Sequence, residues 1–360
     1  MPRLTAGHRR ARDRKDWMVS IPSARAVAAD PLWFPHRFEP TDDVVQFRYL
    51  PREAHRAATF LTDIHLGEDH DIAVIGREAA IAAAGPPAPL HFIFHSAFCC
   101  STLLARAFDI EGVAMGLKEP VILNDLSGWK HRGGDPRLIA RALDGAMRLL
   151  ERPFGPGEAV IVKPSNLINA LSVAMLAMRP DARALLLYAP LRVYLGSIAK
   201  KGLEGRLWVR DLLVKQLKDG MIRLGFSDED YLRHTDLQAA AVGWVAQQAL
   251  FADLVRRYGA RRVRSIDSDM LMACPVESMA ALARLYGLEV GPDFAETVVG
   301  GPAFNSHSKS GERFDRAART AENRDAANLH ADEIEKVVAW AEAVARNAGV
   351  SLDPGAPLLD

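Results

Sequence analysis

The sequence predicts an α/β fold built on a central parallel sheet, and three observations carry that expectation. Short, continuous apolar runs recur at Phe92 to Phe94, Ala159 to Val162, Ala184 to Leu187 and Val263 to Ile266. That is the pattern of strands buried on both faces, not the alternation of a half-exposed strand. Amphipathic stretches long enough for crossover helices lie between these runs. Third, the stretch from His91 to Asp109, HFIFHSAFCCSTLLARAFD, reads as a strand, a tight loop of small residues and a helix.

Ahead of that stretch the chain reads as a tail and helical extension, residues 1–88. Residues 17 to 40 mix prolines and aromatics without steady periodicity, the signature of a segment wrapping over a surface. Val44 to Leu50 suits a short strand. Pro51 to Leu66 reads as a helix with Ala54, Ala57, Ala58 and Leu61 on its apolar side. Ala73 to Ala84 reads as a weaker helix, stopped by Gly85-Pro86-Pro87. From residue 89 to about 350 the expectation is one α/β domain. Val113 to Gly116 is a short apolar run entering Lys118-Glu119-Pro120, and Gly133-Gly134-Asp135-Pro136 turns into a helix from Arg137 to Arg152. The next strand ends on Lys163-Pro164-Ser165-Asn166 and feeds a helix from Leu167 to Met178. The strand after it leads through Tyr188 into a helix ending at Lys201. Gly202 to Leu232 is charged and mixed, a helical insertion. Thr235 to Tyr258 is a long helix, and Pro275 to Tyr286 is a helix opened by a proline in its first turn. Val298 to Phe314 reads as a polar, Gly-rich loop, and Asp332 to Asn347 as a closing helix.

Composition bounds the function classes. Hydrophobic residues make up 49% and charged residues 25% of the 360, as in an ordinary globular protein with a sizeable core. Lys plus Arg and Asp plus Glu both number 45, so no global charge argues for nucleic acid and any anion site must come from local placement. The three cysteines, Cys99, Cys100 and Cys274, fit neither a disulfide framework nor a zinc site, which suits a reducing cytoplasm. The basic start (Arg3, Arg9, Arg10, Arg12, Arg14, Lys15) is not followed by an apolar core and reads as a tail, not a signal peptide. No stretch is long and apolar enough for a bilayer span. His55, His65 and His70 are irregularly spaced and are not read as metal ligands, so no metal is expected.

The chemistry is expected where the strands end. In an open parallel sheet, ligands bind beyond the carboxyl ends of the strands. His95 to Thr102, Lys118-Glu119, Lys163 to Asn166 and Tyr188 to Ser197 all leave strands carrying polar groups. From His95 to Thr102 the loop has the length of a Walker A motif and ends in the expected hydroxyl, but it lacks both glycines and the lysine. It reads as an anion cradle of backbone N–H groups and hydroxyls, formed by Ser96, Ala97, Phe98, Cys99, Cys100, Ser101 and Thr102 at a helix N-terminus. Small residues there let a backbone approach a ligand; a reactive Cys99-Cys100 pair is the alternative.

The runs FHSAFCCSTLLARAFD, GLKEP and VIVKPSN together resemble the P-loop sulfotransferase superfamily, especially bacterial sulfotransferase-like proteins and tyrosylprotein sulfotransferases. RVRSIDSDML, followed by Pro275 and a helix ending ARLYGLEV, resembles the superfamily's late strand and helix, so the likeness runs from about His91 to Val290. The resemblance implies a P-loop nucleoside-triphosphate-hydrolase-like three-layer fold. It also implies 3′-phosphoadenosine 5′-phosphosulfate as co-substrate, with its 5′-phosphosulfate in the loop and its sulfuryl group passed to a hydroxyl or amine. Glu119 matches the superfamily's base, Lys163 the lysine that steadies charge on the bridging oxygen, and Ser101-Thr102 its hydroxyl pair.

Two positions depart from the pattern. Phe98 stands where the superfamily carries Lys or Arg, leaving His95, Lys118 or Lys309 as replacement cations. Tyr188 stands where the 3′-phosphate arginine is expected, leaving Arg192 and Ser197 one helical turn on. His307 and Lys309 lie where the superfamily closes over the nucleotide. The expected function is a sulfotransferase-like enzyme. The alternatives are a catalytically weak nucleotide- or phosphate-binding protein and, less favoured, a P-loop kinase. The acceptor pocket is expected around Gly128 to Gly134 and Arg206 to Leu232, with the acceptor and oligomeric state unread.

Overall fold

A computed structural model describes residues 23–305 and 330–359. Strands β1 (Trp33–Glu39), β2 (Val44–Tyr49) and β3 (Ile72–Gly76) form an antiparallel sheet in that order. Strands β4 (Leu90–His95), β5 (Ala114–Lys118), β6 (Ala159–Lys163), β7 (Ala184–Tyr188) and β8 (Val263–Asp267) form a wholly parallel sheet ordered β5-β6-β4-β7-β8. This is the α/β architecture with a central parallel sheet expected from the apolar runs. Because β4 is central, the chain leaves it to one side for β5 and β6, then crosses back for β7 and β8. In open parallel sheets such a reversal of strand order, here at the carboxyl end of β4, is where ligands bind.

The three layers follow from the period of two along each strand. Phe92 and Phe94 of β4 face one core with Val160, Val162 and Leu186, packed under the helices Val121–His131 and Pro136–Leu150. Ile93 faces the other with Ile161, Leu185 and Leu187, covered by the helices Ser101–Ala107, Leu191–Lys200 and Asp236–Tyr258. Every residue of β4, β5 and β6 is buried, which is why these strands carry no alternation. Gly116 is required by one close approach: a Cβ there would lie 2.0 Å from the Ala105 carbonyl oxygen. Without a side chain at that position, β5 admits the backbone of the helix Ser101–Ala107 against it.

Several expectations change in the N-terminal region. It holds helices, as expected, but also the antiparallel sheet. Trp33–Glu39 is a strand, not an irregular wrap, and residues 73–84 divide into β3 and the helix Arg77–Ala83. Period alone missed this, because β3 is recruited by pairing with β2, from Val44 opposite Gly76 to Arg48 opposite Ile72. The helix expected from Pro51 to Leu66 breaks into Arg52–Ala57 and Asp63–Leu66. Nor does this region pack by itself: Val27, Phe34 and Phe47 share one apolar cluster with Phe92 and Val160. Arg37 also pairs with Asp125 of the helix Val121–His131.

Further on, the expected helix from Leu167 opens as a 3-10 turn, Asn166–Leu171, before Ser172–Met178. The insertion is helical at Gly202–Lys218 and Asp228–Arg233. The stretch read as a Gly-rich loop from Val298 is helical through Gly300 and again at Pro302–Asn305. Beyond that, His307 and Lys309 lie outside the described residues. Among the described residues no helix is long and apolar enough to cross a membrane.

Candidate functional site

The parallel sheet brings His95, Lys118-Glu119, Lys163 and Tyr188 to one edge, since each ends its strand or follows it directly. The loop after β4 then adopts a conformation that its residue types do not favour. Ala97 (φ 75°), Phe98 (φ 55°) and Cys100 (φ 65°) are all left-handed. A Walker loop places glycine at such positions. In an L-residue the conformation costs about 1–2 kcal/mol each, so surrounding contacts must hold the loop in place. The Ser96 N–H donates to the Leu187 carbonyl at 3.1 Å, and its hydroxyl accepts from the Ala189 N–H at 3.0 Å. The Cys99 thiol is wholly buried and donates to the Leu187 carbonyl at 3.4 Å. Phe98 packs edge-on against Tyr194 and Trp208, at 5.8 and 5.5 Å between ring centroids.

With the loop so fixed, no carbonyl among the described residues accepts from the N–H groups of Phe98, Cys99 or Thr102, while the Ser101 N–H and hydroxyl lie against the Cys99 sulfur. Successive unpaired N–H groups in left-handed turns at a helix start form a concavity suited to an anion. Ser101 and Thr102 are themselves buried at that helix start. The alternative of a reactive thiol pair does not hold for Cys99, whose burial pushes its thiol up to about 11.

Beside the loop, Lys163 and Glu119 are joined twice. The Lys163 ammonium donates to Glu119 Oε1, and the Glu119 N–H donates to the Lys163 carbonyl at 2.7 Å. Glu119 itself is left-handed, with φ 53°. The lysine side chain is 1% exposed and the glutamate 18%, so one partner is sealed and the other opens outward. The face of Phe60 covers the ammonium at 4.9 Å, a cation–π contact that takes the place of water.

His95 links this pair to the loop. Its Nδ1 accepts from the Ala97 N–H at 3.1 Å, and its Nε2 faces the Pro164 carbonyl at 3.0 Å and Glu119 Oε1 at 3.9 Å. An accepting Nδ1 and a donating Nε2 assign the neutral Nε2–H tautomer. Asn169 completes the brace by donating to the His95 carbonyl at 2.9 Å.

The remaining candidates are committed elsewhere. Lys118 points its ammonium at the carbonyls of His55 (2.5 Å), Arg56 (3.2 Å) and Ala58 (2.6 Å). It closes the C-terminus of the helix Arg52–Ala57, and burial lowers it to about 7. It is therefore a structural cap and not a substitute cation for the loop. Arg192 sits in the first turn after β7, at the same sheet edge, where Glu335 binds it through two contacts of 2.7 Å. The Ser197 hydroxyl donates back to the Val193 carbonyl at 2.8 Å. Tyr188 lies beside Asp267, its register partner on β8, and burial together with that charge raises its phenol to about 12. Phe60 and Asn169 were not anticipated. No spacing rule marks a ring reaching the site from the N-terminal region or an amide inside a 3-10 turn. Among the described residues no group of three or more His, Cys, Asp or Glu side chains is placed to hold a metal ion.

No protein-family model and no curated protein matches the sequence. Three solved structures are similar at a distance. The sulfotransferase domain from the curacin biosynthetic pathway aligns with a TM-score of 0.38 and 12% identity, over 63% of this chain and 81% of that one. The sulfotransferase domain from the Synechococcus PCC 7002 olefin synthase gives 0.38 and 12%, over 65% and 83%. The sulfotransferase from Alicyclobacillus acidocaldarius gives 0.29 and 16%, over 59% and 91%. The fold and the site of this chain define a class: a parallel-sheet α/β protein with a strained strand–loop–helix cradle beside a lysine–glutamate pair whose lysine is sealed.

Proposed function

We propose that this chain is a sulfotransferase-like transferase, moving a sulfuryl group from 3′-phosphoadenosine 5′-phosphosulfate to a hydroxyl or amine. One observation carries the reading: a loop with unpaired N–H groups, strained at three non-glycine residues, beside the Lys163–Glu119 pair. The loop N–H groups and the Ser101 and Thr102 hydroxyls suit the phosphosulfate oxygens. The acceptor oxygen or nitrogen attacks sulfur as the sulfur–oxygen bond to the phosphate breaks. The Glu119 carboxylate takes the acceptor proton, and Lys163 meets the charge gathering on the departing oxygen. An anion in the loop competes with Glu119 for Lys163, and a glutamate freed from its cation is the stronger base.

A second reading is favoured by the loop's lack of charge. Phe98 is held among aromatic rings, His95 is neutral, and Lys163 is already paired. Those features suit a nucleotide- or phosphate-binding protein with little turnover. Calorimetric titration with adenosine 3′,5′-bisphosphate and with ATP–Mg²⁺ separates the readings from a kinase: the bisphosphate binds and ATP–Mg²⁺ does not. Preference for ATP–Mg²⁺ overturns the proposal. Sulfuryl-transfer assays then compare wild type with Glu119→Gln and Lys163→Ala. Transfer lost in both supports the assigned roles, and transfer retained at full rate in both removes them. Bisphosphate binding without transfer by wild type leaves the second reading.

A further inference from the structure

A cavity of about 390 Å³ lies between the end of the helix Gly202–Lys218, the long helix Asp236–Tyr258 and the 3-10 turn Asn166–Leu171. None of the loop residues 95–102, Glu119 or Lys163 lines it. Its volume falls at the small end of the range for ligand pockets. Leu224, Leu250 and Val350 give it apolar walls, and Arg223, Arg256 and Arg257 bring three guanidinium groups to the same lining.

The two carboxylates in the lining are already neutralised. Asp219 is 3% exposed and is held by Lys130 at 2.6 Å and His131 at 2.9 Å. Asp253 is shared by Arg256 and Arg257. Arg223 has no ion-pair partner among the described residues. The lining is therefore apolar with an excess of positive charge on its solvent side.

We propose that this cavity is a second ligand site, taking an amphipathic carboxylate whose apolar body lies against Leu224 and Leu250 and whose head meets Arg223. The inference does not depend on sulfuryl transfer. The cavity is nevertheless close to the first site in chain terms. Ala170, in its lining, lies seven residues after Lys163, two of them before the 3-10 turn and five within it, a span of no more than about 19 Å.

The test is calorimetric titration of the full chain with decanoate, decanol and decyltrimethylammonium below their micelle concentrations. Decanoate is expected to bind and the cationic amphiphile not to. Arg223→Glu, which turns the attraction for the carboxylate into repulsion, is expected to weaken decanoate by about tenfold. Ala249→Trp, which fills the cavity from its lining, is expected to abolish binding, while Lys163→Ala leaves it unchanged. Equal binding of decanoate and decyltrimethylammonium overturns the proposal, as does full affinity in Arg223→Glu. Displacement of decanoate by adenosine 3′,5′-bisphosphate also overturns it, because the amphiphile would then occupy the loop.

Discussion

Removing either member of the Lys163–Glu119 pair should have very unequal effects on stability. Lys163 is 1% exposed, and the partners found for its ammonium are the Glu119 carboxylate and the Phe60 face. Glu119→Ala leaves a sealed ammonium without its counter-charge, the kind of change that costs about 3–5 kcal/mol. Because Glu119 is 18% exposed, water can follow into the gap, which places the expected loss near the lower figure, about 3 kcal/mol. Lys163→Met keeps the unbranched stem against Phe60 and leaves a carboxylate that already faces outward, so the expected loss is about 1 kcal/mol. With the ammonium gone, deleting Glu119 as well adds little, and the double variant should resemble Lys163→Met. The coupling between the two sites is then about 2–3 kcal/mol. Urea unfolding followed by tryptophan fluorescence, with linear extrapolation for wild type and the three variants, measures it directly. A coupling below about 0.5 kcal/mol, or Lys163→Met costing more than Glu119→Ala, refutes the reasoning that burial lies on the lysine side.

Two further outcomes follow from local geometry. Gly116→Ala drives a Cβ to 2.0 Å from the Ala105 carbonyl oxygen, between two backbones that cannot both retreat. A lowered urea midpoint, by about 3 kcal/mol or more of stability, is expected, together with weakened bisphosphate binding as the loop helix shifts; an unchanged midpoint contradicts the close packing. His55 is buried between Phe34 and Phe154, at 5.1 and 5.0 Å, and neither ring nitrogen has a partner among the described residues. Burial lowers it to about 3 from the ordinary 6.5. The unfolded chain takes up a proton that the native state refuses, so this contribution is whole above pH 6.5 and is lost as pH falls towards 3. His55→Leu should gain about 1 kcal/mol at neutral pH and flatten the acid limb of the stability profile between pH 6.5 and 4. Acid titration of the urea midpoint checks both, and an unchanged slope counts against the assignment.

The parallel sheet was legible because burial on both faces leaves a direct trace in sequence: Phe92 to Phe94, Ala159 to Val162, Ala184 to Leu187 and Val263 to Ile266 all lie in strands. The convergence of the loop, Glu119 and Lys163 at one edge was equally legible, because a parallel sheet sends every strand's carboxyl end the same way. The antiparallel sheet of the N-terminal region was not. Strand β3 exists through its pairing with β2, and a pairing partner leaves no periodic mark on the segment that finds it.

Residue type alone misled most about cations. Lys118 and Lys163 end neighbouring strands in register, yet Lys118 turns its ammonium to helix carbonyls and Lys163 turns to Glu119. Sequence determined that two lysines and a glutamate would arrive at one sheet edge beside a small-residue loop. Only the tertiary structure decided which lysine meets the glutamate and which ring seals it. It also decided that Ala97, Phe98 and Cys100 would hold a shape usually left to glycine. The physical reason is the same in each case. These outcomes are set by contacts between segments distant in the chain, with Phe60 on Lys163, Trp208 on Phe98 and Leu187 on Cys99, and local propensity carries no record of them.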